Sequence, residues 1–148
     1  MVSNCKLLAI IPARGGSKRL PNKNILDLAG KPLIVWTIDA AKQSKYIDRI
    51  VVSTDSSRIA EIAIKAGAEV PFMRPPELAV DYATTEGVLQ HAVQWLETEE
   101  NYKTDIAVFL QPTDIFRKQE WLSQVVQALL DDPELESCFV GFATYKNF

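Results

Sequence analysis

Residues 6–11, Lys-Leu-Leu-Ala-Ile-Ile, form a short apolar run that Pro12 stops. Continuous apolarity over so few residues suits a strand covered on both faces, as in a parallel sheet. Parallel strands need crossover connections, usually helical, and the following residues supply them. After Gly30 and Pro32, the apolar residues Leu33, Trp36, Ile38, Ala40 and Ala41 recur at helical spacing up to Gln43, with Pro32 suited to a first helical turn. Residues 49–54 repeat the strand pattern. Asp55, Ser56 and Ser57 are helix-start residues before Ile59, Ile62, Ala63 and Ala66, and Gly67 ends that helix. A third strand is expected over 69–73, followed by the loop Arg74-Pro75-Pro76-Glu77-Leu78, whose prolines forbid a helix. Thr84 or Thr85 caps a helix to about Glu97. Residues 105–110 read as a strand, 118–130 as a helix and 136–145 as a last strand. The alternation implies parallel βαβ units in one doubly wound α/β domain over residues 1–148.

Composition agrees with this class. With 148 residues, 47% of them hydrophobic, the chain can bury roughly two thirds of its unfolded surface and needs no disulfide or metal to hold a core. Sixteen Lys and Arg against 19 Asp and Glu give a net charge of -3. No basic excess marks a general nucleic-acid or membrane-surface binder. Cys5 and Cys138 sit far apart in apolar runs and read as reduced, buried thiols. With no charged leader at Met1 and no apolar run of membrane-spanning length, the expected compartment is the cytoplasm.

Chemistry concentrates after the first strand. Arg14, Lys18, Arg19 and Lys23 supply positive charge there, Ser17 a hydroxyl, and Gly15 and Gly16 let backbone N–H groups approach an anion. A polyphosphate is the natural ligand, because open α/β sheets bind ligands beyond the carboxyl ends of their strands. The loop is neither a Walker loop nor a dinucleotide fingerprint. His91, the one histidine, lies within a helix without partners for a metal or a triad, and reads as a packed or surface residue. Trp36, Trp95 and Trp121 read as core packing.

The run Ile11-Pro12-Ala13-Arg14-Gly15-Gly16-Ser17-Lys18-Arg19-Leu20-Pro21-Asn22-Lys23-Asn24-Ile25 resembles the signature loop of the CMP-N-acylneuraminate (sialic acid) cytidylyltransferases. Val52-Ser53-Thr54-Asp55, Arg74-Pro75-Pro76-Glu77-Leu78-Ala79 with Asp81, and Leu110-Gln111-Pro112-Thr113 resemble the same family in the same order. The resemblance implies a three-layer Rossmann-like nucleotide-diphospho-sugar transferase fold with a mainly parallel sheet. It also implies transfer of CMP from CTP to the anomeric hydroxyl of a nine-carbon acidic sugar, a nonulosonic acid, with release of pyrophosphate. Lys23 and Arg14 are then the catalytic candidates. Arg14, Gly16, Ser17, Lys23, Asn24 and Arg74 are the nucleotide-binding candidates, and Gln111 and Thr113 the sugar-binding ones. Arg74 is expected to frame the cytosine and Asn24 to contact ribose or base, while Mg2+ is the expected cofactor.

Two departures from the family stand out. Where its members usually continue Ser-Pro-Leu-Arg, this chain has Asp114-Ile115-Phe116-Arg117. Asp114 is a candidate Mg2+ ligand, a charge that repels the sugar carboxylate, or a helix cap, with the cap favoured. Asp55 likewise reads as a cap for the second helix, and Asp81 as a helix-entry residue. The family's chains also continue well past Phe148, where a dimerisation arm, further sugar contacts and the acidic pair holding Mg2+ are expected. The sequence therefore reads as a C-terminally truncated form. Its alternative role is a CTP-binding fragment without turnover of its own. A relative acting on the eight-carbon sugar of lipopolysaccharide and a nicotinamide oxidoreductase fit less well.

Overall fold

The computed structural model describes residues 4–16, 20–80 and 83–141. The first apolar run forms β1 (Leu7–Pro12), and its residues 7–11 are all buried. A small antiparallel hairpin follows, β2 (Asp27–Leu28) and β3 (Lys31–Pro32), closed by Ala29 at φ 51° and Gly30 at φ 98°. Two successive left-handed residues match the right-handed twist of a tight hairpin. Then come α1 (Leu33–Lys42), β4 (Arg49–Ser53), α2 (Ser57–Lys65), α3 (Thr85–Glu100), β5 (Ile106–Phe109) and α4 (Gln119–Asp131).

The main sheet has the order β4-β1-β5, with both pairs parallel. Period-two geometry divides β1 between two cores. Leu7, Ala9 and Ile11 pack with Ile34 and Ile38 of α1, Ile59 and Ala63 of α2, and Leu122 and Val126 of α4. Leu8 and Ile10 face the other way, onto Ala92 and Leu96 of α3 with Val51 and Phe72. Helices on both faces make three layers, as expected. Two carboxylates anchor the start of β1: Asp48 accepts from the Leu7 N–H at 2.8 Å and Asp105 from the Lys6 N–H at 2.8 Å.

Four expectations need correction. The strand expected over 69–73 is a single bridge between Val51 and Glu69. Glu69 donates to the Ile50 carbonyl and accepts from the Val52 N–H, but two residues later Pro71 has no N–H with which to continue a ladder. Residues 136–141 of the expected last strand are irregular, and residues 142–145 lie outside the described residues. The Cys-Phe-Val triplet has strand propensity, yet Phe139 is 85% exposed, and propensity without a packing partner does not make a strand. Trp36 is not core either: it is 38% exposed, its Nε1 donates to the Leu28 carbonyl, and the Lys31 ammonium lies 3.9 Å from its ring centroid. Cys5 and Cys138 are free, as expected, but only half-buried.

Candidate functional site

The carboxyl ends of β1 and β5 converge on one cavity of about 270 Å3. β1 is the central strand, so the chain leaves it toward β4 on one side and returns to β5 on the other, which is the switch point where open α/β sheets hold ligands. Arg14, Lys23 and Asn24 line this cavity from the loop after β1, Arg74 from the segment after the Glu69 bridge, and Gln111 and Thr113 from the loop after β5. Six of the expected site residues, spread over 100 positions of sequence, thus share one wall-to-wall space. Gly16 is exposed at the outer end of its loop. Ser17, Lys18, Arg19 and Asp81 lie outside the described residues.

Hydrogen bonds to neighbouring elements hold the loop leaving β1. The Ala13 N–H donates to the Ser53 carbonyl at 2.9 Å. The Asn24 amide, 5% exposed, donates to the Arg14 carbonyl at 3.1 Å. The Gly15 N–H donates to the Asp55 carboxylate at 2.8 Å. This corrects the expectation that Asp55 caps α2. The cap is Ser56, whose hydroxyl accepts from the Ile59 N–H at 3.3 Å. Asp55 stands one residue too early to reach the helix donors and points toward the neighbouring loop.

Arg74 is 6% exposed, and all three of its guanidinium nitrogens meet protein oxygens. Nε donates to Ser53 Oγ, Nη2 to the Ser53 carbonyl at 2.7 Å and Nη1 to the Leu78 carbonyl at 3.3 Å. The side chain straps the end of β4 to the 3-10 turn Pro76–Leu78 and so forms one wall of the cavity. Burial pushes the guanidinium below its ordinary range. The Asp55 charge opposes that shift and the Arg14 charge adds to it, but an arginine stays protonated under any working condition. Asn24 similarly directs its amide N–H2 into the loop, which makes it a brace of the cavity as well as part of its lining.

Behind the loop after β5, Arg117 donates to the Gln111 carbonyl at 2.9 Å and lies 3.7 Å from the Asp114 carboxylate. Its side chain is 11% exposed, and burial lowers its pKa against the pull of Asp114. Asp114 was expected to cap the next helix. Instead the cap position of α4 is Lys118, without a side-chain bond, and Asp114 closes a turn through its own N–H to the Gln111 carbonyl. Four intervening residues leave the carboxylate too far upstream of the first turn to cap it. Arg117 had no expected role, although an arginine six residues after a loop glutamine is a plain candidate for folding back onto it.

Among the described residues no group of three or more His, Cys, Asp or Glu side chains could hold a metal ion. Asp55 and Asp114, the acidic residues of the loops after β4 and β5, point to Gly15 and Arg117 respectively. The described side chains therefore do not form a protein cage for Mg2+, and what they offer is cationic and hydrogen-bonding. His91 stands behind the cavity, edge-on to Phe72 with ring centroids 4.7 Å apart, and its buried Nδ1 has no partner. No described helix is long and apolar enough to cross a membrane.

The sequence model of a family described as Cytidylyltransferase matches residues 8–145, which include every residue of this cavity. The chain belongs to the cytidylyltransferase family. It is 47% identical over 124 residues to the CMP-N,N'-diacetyllegionaminic acid synthase of Legionella pneumophila, a match covering 82% of this chain and 52% of that protein. It is 49% identical over 139 residues to the pseudaminic acid cytidylyltransferase of Campylobacter jejuni, covering 94% of this chain and 58% of the relative. Among solved structures, a CMP:2-keto-3-deoxy-manno-octonic acid synthetase complexed with CTP aligns with a TM-score of 0.71 at 28% identity, over 88% of this chain and 49% of that one. The chain spans about half the length of the curated relatives it matches. As a cytidylyltransferase fold, its mainly parallel three-layer architecture is the one its residues led us to expect.

Proposed function

We propose that this chain carries the nucleotide-binding part of an enzyme that transfers CMP from CTP to a nonulosonic acid. One observation carries the proposal: cations from the loop after β1 and polar groups from the loop after β5 line the same cavity at the switch point of the sheet. The first group suits a triphosphate, and the second lies where an acceptor sugar would approach it. The relatives support this sugar class, since legionaminic and pseudaminic acid enzymes match at 47% and 49%, against 28% for the octonic acid synthetase.

In the proposed reaction the anomeric hydroxyl oxygen bonds to the α-phosphorus of CTP. The bond from that phosphorus to the bridging oxygen breaks, pyrophosphate leaves, and the hydroxyl proton passes to solvent. Little covalent participation by the protein is needed, and catalysis rests on positioning and on neutralising phosphate charge. Arg14 and Lys23 take the latter role, with Lys23 nearest in kind to a group that stabilises charge on the α-phosphate and leaving group. Gly16 and Ser17 offer donors to the phosphates, Asn24 and Arg74 shape the nucleoside end, and Gln111 and Thr113 hydrogen-bond the sugar. Mg2+ remains the expected counter-ion of the triphosphate, and no role is assigned to Asp114 in holding it.

The test is direct. Purified chain is mixed with CTP, Mg2+ and a panel of N-acetylneuraminic, legionaminic and pseudaminic acids, and released pyrophosphate is measured beside the melting temperature. The expected outcome is pyrophosphate release with at least one acid and a CTP-dependent rise in Tm. A rise in Tm without pyrophosphate supports a CTP-binding module instead, and neither signal overturns both assignments.

A further inference from the structure

We propose that Asp55 is a positioning residue for the triphosphate loop: its carboxylate, bound to the Gly15 N–H, presets the backbone from Arg14 to Gly16 in the shape that receives the phosphates. This rests on the CTP-binding proposal above and deepens it by naming the group that organises the loop.

Among the bonds that tie residues 13–16 to the rest of the molecule, three made by their backbone differ in kind. The Ala13 bond extends the pairing of β1 with β4, and the Asn24 bond comes from within the same connection. The Asp55 bond alone of the three ties the glycine pair to the β4–α2 turn, and it is charge-assisted, hence the strongest type. The turn that presents Asp55 is fixed independently of it. Thr54 Oγ1 accepts from the Ser56 N–H at 3.1 Å, Ser56 Oγ caps α2, and Thr54 itself is fully buried. Asp55 is thus free of any duty to its own helix. Its loop partner is pressed against the turn, because a Cβ on Gly15 would lie 3.0 Å from Ser56 Cβ. The backbone approaches this closely only because residue 15 is glycine.

The charge has a second effect. Arg14 and Arg74 repel each other across the cavity, and Asp55 acts on Arg74 with the opposite sign. A carboxylate near an incoming triphosphate carries an electrostatic disadvantage, so the hydrogen bond and the offset of the arginine pair are what favour an aspartate here. These contributions separate by substitution. Asp55→Asn keeps an oxygen that accepts from Gly15 and removes the charge, whereas Asp55→Ala removes both.

The experiment measures backbone amide exchange at Gly15 without nucleotide, and the affinity of the chain for CTP and for inorganic tripolyphosphate from the ligand-dependent rise in Tm. In Asp55→Ala, exchange at Gly15 is expected to accelerate about tenfold and affinity for both ligands to fall about tenfold, with α2 amides unchanged. Asp55→Asn is expected to rescue Gly15 protection and to bind both ligands within about threefold of the parent or more tightly, as loss of a like charge allows. Unchanged exchange and affinity in Asp55→Ala overturn the proposal, as does an Asp55→Asn chain as weak as Asp55→Ala, which would assign the role to charge and not to loop geometry. If the parent itself binds neither ligand, the triphosphate assignment of the loop falls with the CTP-binding proposal. The exchange arm, which uses no nucleotide, separately decides whether Asp55 sets the shape of the loop.

Discussion

Lys23 opens a single 3-10 turn, Lys23–Ile25, entered through Asn22 at φ 56°. Asparagine tolerates this left-handed conformation better than most residues, and the resulting corner turns the Lys23 side chain back toward the cavity. In a full-length enzyme carrying this loop, Lys23→Ala is expected to lower kcat by about 10²- to 10³-fold, the usual cost of removing one preorganised charge-stabilising group, as measured by pyrophosphate release. Arg74 answers to a different measurement. Because its three nitrogens satisfy Ser53 and Leu78, Arg74→Ala takes the donor from the buried Ser53 hydroxyl and from the Leu78 carbonyl and is expected to cost about 2–4 kcal/mol by urea unfolding, along with weaker CTP binding. His91 adds a pH dependence. Burial first, then the Arg74 charge, lowers its pKa from 6.5, against the opposing pull of Glu77. The unfolded chain therefore binds this proton more readily. The contribution is fully present above pH 6.5 and is lost as pH falls below that value toward the lowered folded pKa. His91→Gln is expected to flatten the acid side of a Tm-against-pH curve, and parallel curves for the two proteins would contradict this.

The elements differ in how far their residues announced them. β1, β4 and β5 came from continuous apolar runs, and the buried alternation of Leu7, Ala9 and Ile11 against Leu8 and Ile10 shows why both faces had to be apolar. The end of α2 was legible because Gly67, at φ 102°, supplies the left-handed residue that stops a helix. The hairpin β2–β3 escaped because two paired residues on each side carry no periodicity, although Asp27 accepting from the Gly30 N–H leaves a trace in the Ala-Gly dipeptide. Pro71 was visible in the sequence, and weighing its missing N–H would have reduced the strand at 69–73 to a bridge. Within the site, the cations were legible as a cluster, but the partners of Asp55, Asn24 and Arg74 were not. Those depend on which loops the sheet order brings together. At this scale α3 is the most exposed to perturbation, since it covers one face of the sheet through Val88, Ala92 and Leu96. Leu96 is fully buried, and Leu96→Ala is expected to cost about 2–5 kcal/mol in urea unfolding, with helix content retained.

Over the whole molecule, a net charge of -3 conceals a cationic loop at the mouth of one cavity. Binding there stabilises the native state by mass action, so CTP at about 100 times its Kd is expected to add about 2.7 kcal/mol, a rise in Tm of roughly 5–10 °C for a chain of this size. A scan showing no concentration dependence would contradict nucleotide binding. The central position of β1 also has a temporal consequence. This strand is made before its partners, which arrive late: Asp48 meets Leu7 across 41 positions and Asp105 meets Lys6 across 99. On a ribosome adding about 5–20 residues per second, the loop after β1 emerges and then waits for seconds, because the β5 side of its cavity is still being made. Slow, non-local pairing of this kind postpones the site until β5 docks. A nascent chain stopped short of β5 would display Arg14 and Lys23 to solvent without the pocket that gives those charges a specific ligand.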